Sequence, residues 1–296
     1  MYRSIERIVQ AQHFTEGGGF PVRRPFPIRD LDQIDPFLLL DEMGPVEWGP
    51  GEAIGAPDHP HRGFETVTYL LAGSMQHRDS GGASGVLDPG GVQWMTAGSG
   101  VVHAEMPTPE FARTGGLMHG FQVWVNLPAE EKTIPPRYQD LPAARVPEAI
   151  SPDGLVRARV VAGNVGGIVA VTETHTPILY AHFIVQPGGV VEQAVPRGYG
   201  LFAYPFKGWG VFGSGGERPG VSAAEGRLVL FAKDGDAVRV ENPAGAPRSL
   251  EFLLLGGRPI DEPIARYGPF VMNTEEELRQ AFRDYQGGNM GVISRA

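Results

Sequence analysis

Two short triplets constrain this chain more than any other feature: His59-Pro60-His61 and His103-Ala104-Glu105. Each places two metal-ligating side chains at i and i+2. On a β-strand those positions point to the same face. Two such strands facing each other bring three imidazoles and one carboxylate to a single point, which is a metal site. Its mixture of nitrogen and oxygen donors suits a first-row divalent ion, Fe(II) first, with Mn, Co, Ni, Cu or Zn as possible substitutes. Four protein ligands on an octahedral ion leave two positions open for small molecules. A lone histidine is more often a satisfied structural residue than a ligand. Two strand-spaced pairs set among turn glycines weigh toward the metal.

The glycines and prolines set the frame around these pairs. With 42 Gly and 27 Pro spread along 296 residues, the pattern is one of many short strands joined by tight turns. Charged residues make up 20%, too few for a disordered polyelectrolyte. The net charge of −9 argues against direct binding of nucleic acid, and the densest basic patch is only Arg23-Arg24 with Arg29. Cysteine is absent, so a metal must be held by His, Asp or Glu. The N-terminus carries charge where a signal peptide needs an apolar run. The apolar runs at Phe37–Leu40 and Phe252–Leu255 are far too short to span a bilayer. The expectation is a soluble, cytoplasmic monomer with no membrane partner.

Along the chain, a first strand is expected within residues 1–14 and a second at 37–40, ended by Asp41-Glu42-Met43-Gly44. Residues 44–58 read as a loop leading to the histidines. Residues 63–73 form a β-branched and aromatic strand bounded by glycines, and by strict strand parity Glu65 shares a face with His59 and His61. Gln76 to Ser80 is polar and leads to a hairpin turn at Gly81-Gly82. Strands follow at 92–96 and 117–126. In the latter, His119 shares a face with Phe121, Val123 and Val125, and Gln122 shares the other with Trp124. Prolines at 128, 135, 136 and 142 mark a connector. The domain boundary is placed near 140, giving units 1–140 and 141–296. The second unit shows strands at 155–162, 167–173, 178–185, 199–205, 207–213, 227–231, 236–241 and 249–255, the spacing of a second sandwich or barrel. One helix is expected near 274–286, capped by Asn273 or Thr274, with Leu278, Phe282 and Tyr285 as its apolar stripe.

The remaining candidates have plain readings. His119 reads as a core histidine, and His77, among polar neighbours, as solvated. His13, His175 and His182 have no partner at i+2 and read as structural. Gln122 is either a hydrogen-bond donor to a ligand or a strand surface residue. Trp94 and Met95 read as core. Pro60 lacks an N–H, which puts its pair at a strand start or edge. The second unit has no His-X-His and no acid paired with His175 or His182, so no metal is expected there.

The segments from His59 to Leu70, Gln93 to Gly100 and His103 to Met106 together resemble the signature of the pirin family. Gly120-Phe121-Gln122 to Asn126-Leu127-Pro128, and Gly268 to Asn273, fit it too. The resemblance runs nearly end to end. It implies an all-β bicupin: two tandem cupin barrels of the jelly-roll kind with a short C-terminal helix. It also implies one iron in the first barrel, held by His59, His61, His103 and Glu105. Many cupins take a ligand at the position of Glu65, whereas pirins take the carboxylate of the second motif, so Glu65 is read as a supporting residue. Bacterial relatives resemble quercetin 2,3-dioxygenases. Such an enzyme would take a flavonol and O₂, with Glu105 as the base that accepts the proton of the flavonol 3-hydroxyl. Animal relatives act as iron-dependent cofactors of transcription factors. The alternative is thus a redox-sensing regulatory module that binds a protein, such as a transcription factor or a metabolic enzyme.

Overall fold

The structure is a computed structural model, and it describes residues 1–215 and 219–293. One plan occurs twice, a seven-stranded sheet with a four-stranded sheet, once in each of two units. The unit that carries the triplets comprises His13–Pro27, Phe37–Arg145 and the residues from Ile260 onward. The other comprises Met1–Gln12, Ile28–Pro36 and Val146–Pro259.

This partition differs from a simple cut near residue 140 at both chain ends. The single strand expected over 1–14 is two strands. Ile5–Gln10 pairs antiparallel with Arg227–Phe231 of the later unit, whereas Gln12–Glu16 joins a sheet of the earlier one. The tail with its helix belongs to the earlier unit. Each end supplies an edge strand or a cover to a sheet assembled elsewhere in the sequence, and strand edges need such partners.

In the triplet-bearing unit, the seven-stranded sheet runs Arg137–Leu141, Val92–Thr96, Phe64–Ala72, Gly116–Asn126, Phe37–Trp48, Phe20–Phe26, Gln12–Glu16. The four-stranded sheet runs Ala56–His61, Val101–Pro107, Met75–Asp79, Ser84–Leu87. Three details depart from the sequence reading. The strand expected to stop before residue 44 continues to Trp48. Gly44 permits this, with φ of +81°, because a Cβ there would lie 2.4 Å from the Met118 carbonyl oxygen. The expected connector contains a strand, Arg137–Leu141, that pairs residue for residue with Val92–Thr96. A short helix, Pro109–Thr114, is capped by the Thr108 hydroxyl, with Pro109 in its first turn.

The second unit fills its interior with apolar side chains. Phe183 and Phe252 stack at 5.2 Å, Phe212 meets Phe252 edge-on at 5.7 Å, and Val229, Val240 and Leu254 pack around them. His182 does have an acid beside it, contrary to the sequence reading: its Nε2 lies 3.3 Å from Glu251 on the neighbouring strand. Glu251 sits diagonally across the strands, opposite Ile184, a relation that local spacing does not carry.

The tail helix, Glu275–Gln286, begins with a capping box: the Thr274 hydroxyl accepts from the Glu277 N–H, and the Glu277 carboxylate accepts from the Thr274 N–H. Its buried face is Leu278 and Ala281 with Phe282 at the margin. Tyr285 is 39% exposed and only edges against Phe270, so Ala281 takes the place in the stripe expected for Tyr285.

Lys132 ties this tail to the barrel. It is 1% exposed, and its ammonium donates to Gly63 O (2.7 Å), Asn126 Oδ1 (2.6 Å) and Val271 O (3.2 Å). Burial lowers its pKa to about 8. Lys132→Met would strip three buried acceptors of their donor. It is expected to cost about 3 kcal/mol or more in urea unfolding, since each of the three unsatisfied groups costs about 1–3 kcal/mol. An unchanged midpoint and slope would show that water replaces the ammonium.

Candidate metal centre

The two triplets lie on neighbouring antiparallel strands, Ala56–His61 and Val101–Pro107. The register places His103 opposite His59 and Val101 opposite His61. An irregularity follows His103, so that Glu105 lies opposite Ala56. Ala56–His61 is the outer strand of its sheet, which accommodates Pro60 without loss of a ladder hydrogen bond.

The three imidazoles converge. Ring centroids are 4.4 Å apart for His59 and His103, 4.7 Å for His59 and His61, and 5.0 Å for His61 and His103. One nitrogen of each lies within 4.8 Å of the others. His59 Nδ1 is 2.7 Å from Pro57 O, so this nitrogen carries the proton and leaves the Nε2 lone pair available. His61 and His103 are buried, at 3% and 0% exposure. Both are held well below the ordinary histidine pKa, chiefly by burial and then by the neighbouring imidazoles. Neither ring nitrogen of His103, nor Nδ1 of His61, has a hydrogen-bond partner. Buried polar atoms are normally paired, so unpartnered ring nitrogens beside a converging trio point to a ligand held there. One nitrogen from each of His59, His61 and His103 suits a first-row divalent cation.

Glu105 stands at the same cavity but outside that trio. It is 7% exposed and bridges to the facing sheet: Oε1 accepts from the Thr68 hydroxyl (3.0 Å), and Oε2 accepts from the Gln122 amide (3.1 Å). Gln122 Oε1 in turn accepts from the indole N–H of Trp124 at 3.3 Å. The sheet register lines up Asp41, Gln122, Thr68 and Gln93 across four strands. Sequence reading singled out only Gln122 among them.

Two other expectations change. Glu65 does not share the face of His59 and His61. Gly63 adopts φ of +86° and the chain crosses into the other sheet, which resets the strand parity. Its carboxylate accepts from the Thr96 hydroxyl at 2.7 Å, on the face opposite to Thr66 and Thr68. His77 is buried rather than solvated. It alternates inward with Met75 and Asp79, stacks on Tyr138 at 4.8 Å and lies 3.4 Å from Asp140. Of the others, His119 pairs with Glu42 at 3.0 Å, His13 lies on an exposed strand, and Trp94 and Met95 are fully buried.

His59, His61 and Glu105 open into a cavity of about 730 Å³, lined by residues of this unit alone. Its walls are apolar at Phe20, Val22, Leu39, Met43 and Met75. That volume lies in the range of small-molecule sites. Asp41 also faces it, clamped by Arg24: Nε donates to Oδ1 at 2.7 Å, and Nη2 to Oδ2. Burial nonetheless raises the Asp41 pKa to about 6.

Comparisons with known proteins agree over the whole chain. The pirin family model matches residues 19–125, and that of the pirin C-terminal cupin domain matches residues 180–291. A pirin-like protein of Solanum lycopersicum is 42% identical over 98% of this chain and 93% of its own length. Human pirin is 41% identical over 98% and 94%. The crystal structure of quercetin 2,3-dioxygenase from Acinetobacter baumannii superposes with a TM-score of 0.90 at 34% identity, covering 99% of this chain and 100% of that one. The repeated sheet plan is thus that of two cupin domains.

Asp41 gives a pH test. Its pKa in the fold, about 6, exceeds the usual value of 3.8, so the folded state holds its proton more tightly than the unfolded one. Its contribution to stability is therefore full below about pH 4 and lost as pH rises through 6. The melting temperature of Asp41→Asn, measured from pH 4 to 7, is expected to gain on that of the unsubstituted protein as pH rises. Parallel curves would show that Arg24 fully offsets the burial.

Proposed function

This chain belongs to the pirin family, and on that premise we propose that it is a mononuclear iron dioxygenase that opens the ring of a flavonol with O₂. The observation that carries this reading is the 730 Å³ cavity that meets two of the converging imidazoles, His59 and His61, and the Glu105 carboxylate. Likeness to the Acinetobacter quercetin 2,3-dioxygenase supports it. His59, His61 and His103 would hold the ion through ring nitrogens, and Glu105 would complete the set. When bound, the iron supplies Lewis acidity toward the substrate hydroxyl and redox capacity toward O₂.

The chain's own residues supply the rest. Glu105 accepts the proton of the flavonol 3-hydroxyl. Thr68 and Gln122 fix the orientation of its carboxylate. Trp124 decides which way round the Gln122 amide stands: the indole N–H takes Oε1, which leaves Nε2 to face Glu105. The walls at Phe20, Leu39 and Met43 exclude water from a flat aromatic ligand.

Two measurements test this. Metal analysis is expected to find one equivalent of divalent ion in the unsubstituted protein and little in His61→Ala; equal stoichiometry would reject the ligand set. In an aerobic assay of iron-loaded protein, quercetin absorbance is expected to fall, and Glu105→Gln to slow that loss by about 10²- to 10⁴-fold, the usual scale for a general base. No metal-dependent turnover on any of several flavonols would end the enzyme reading in favour of a protein-binding module. Turnover unchanged in Glu105→Gln would keep the dioxygenase and remove Glu105 as its base.

A further inference from the structure

The tail contacts both ligand-bearing strands, each on the side away from the cavity or just past its last histidine. Along Val101–Pro107, His103 and Glu105 alternate with Val102, Ala104 and Met106. Those three alternates pack into one apolar cluster with Phe270, Met272, Leu278 and Ala281 of the tail. The second grip is on the chain that follows His61. Arg62 donates from Nη1 to Asp284 of the tail helix at 2.8 Å and from Nε to Ser99 O at 2.6 Å. The Arg62 carbonyl accepts from Val271 N at 3.0 Å. At Gly63 the tail comes so close that a Cβ would sit 1.9 Å from Val271 O. The tail hairpin, in which Ala265–Tyr267 pairs with Phe270–Met272, lines the cavity at Arg266, Tyr267 and Pro269.

We infer that the segment from Arg266 to Asp284 is a clamp that sets how long the metal centre keeps its ion, with Asp284 acting as a positioning residue through Arg62 and His61. The inference rests on the metal-centre reading above. Its physical basis is preorganisation. Three imidazoles hold an ion tightly only if their strands are fixed at the right separation, and groups that orient metal ligands typically change affinity by about 10- to 100-fold when removed. Arg62 and Asp284 are mostly buried, at 14% and 19% side-chain exposure, so their ion pair is less screened than a surface pair.

The test is the release of Co(II) from the full-length protein to excess EDTA, followed by the visible absorption of the bound ion. Asp284→Asn is expected to release Co(II) about 10- to 100-fold faster than the unsubstituted protein, and Asp284→Glu to restore slow release. Arg279→Gln, which removes an exposed ion pair with Glu276 on the same helix, is the control for helix charge and should release at the unsubstituted rate. The melting temperature of each metal-free variant is measured alongside. A lowered melting temperature in Asp284→Asn with an unchanged release rate would overturn the clamp and leave Asp284 a stabilising residue only. Acceleration by Arg279→Gln equal to that of Asp284→Asn would overturn it as well. Failure of the unsubstituted protein to take up one equivalent of Co(II) would instead reject the metal centre itself, and the clamp with it.

Discussion

The structure depends on converging three imidazoles, two of them buried with ring nitrogens that no protein group partners. Taking a polar nitrogen out of water without a hydrogen bond is costly, and neighbouring imidazoles disfavour each other's protonation as well. The fold meets this with local devices. An outer strand tolerates Pro60, a register puts His103 opposite His59, and an irregularity after His103 re-aims the strand before Glu105. A glycine beyond His61 lets the chain leave for the second sheet while the tail closes behind it. Each device makes sense as support for a converging donor set and has little purpose without one.

The two cupin domains show how little of this is owed to the fold. Both have seven strands against four. In one, the interior carries a polar row, Asp41, Gln122, Thr68 and Gln93, facing histidines and a glutamate. In the other, the interior is Phe183, Phe212, Phe252 and aliphatic residues. The same architecture is a ligand-sized cavity in the first case and a packed core in the second, because chemistry resides in the side chains that the strands present.

The polar row also explains why Glu105 can be buried without a cation beside it in the protein. Its two oxygens are each met by a neutral donor from the opposite sheet, and the donors are themselves fixed, Gln122 by Trp124. Such a network is rigid only when every member is satisfied. On the outer edge of the row, Gln93 and His77 both reach Asp140, on a strand that the sequence presented as part of a proline-rich connector.

What the sequence determined by itself was whatever depends on near neighbours. The i and i+2 spacing of His59 with His61 and of His103 with Glu105, most strand positions, a strand start or edge at Pro60 and a cap at Asn273 or Thr274 are all relations within a few residues. Period-2 alternation and capping chemistry act at that range, so they can be read directly. Tertiary structure decided everything that rests on which strand lies beside which. The burial of His77, the turning away of Glu65 at Gly63, the partners of Glu105 and the tail's place behind the metal strands come from pairings between distant segments. One residue at φ of +86° was enough to reverse a parity that the local pattern had assigned, because a strand's two faces are fixed only relative to the sheet it joins.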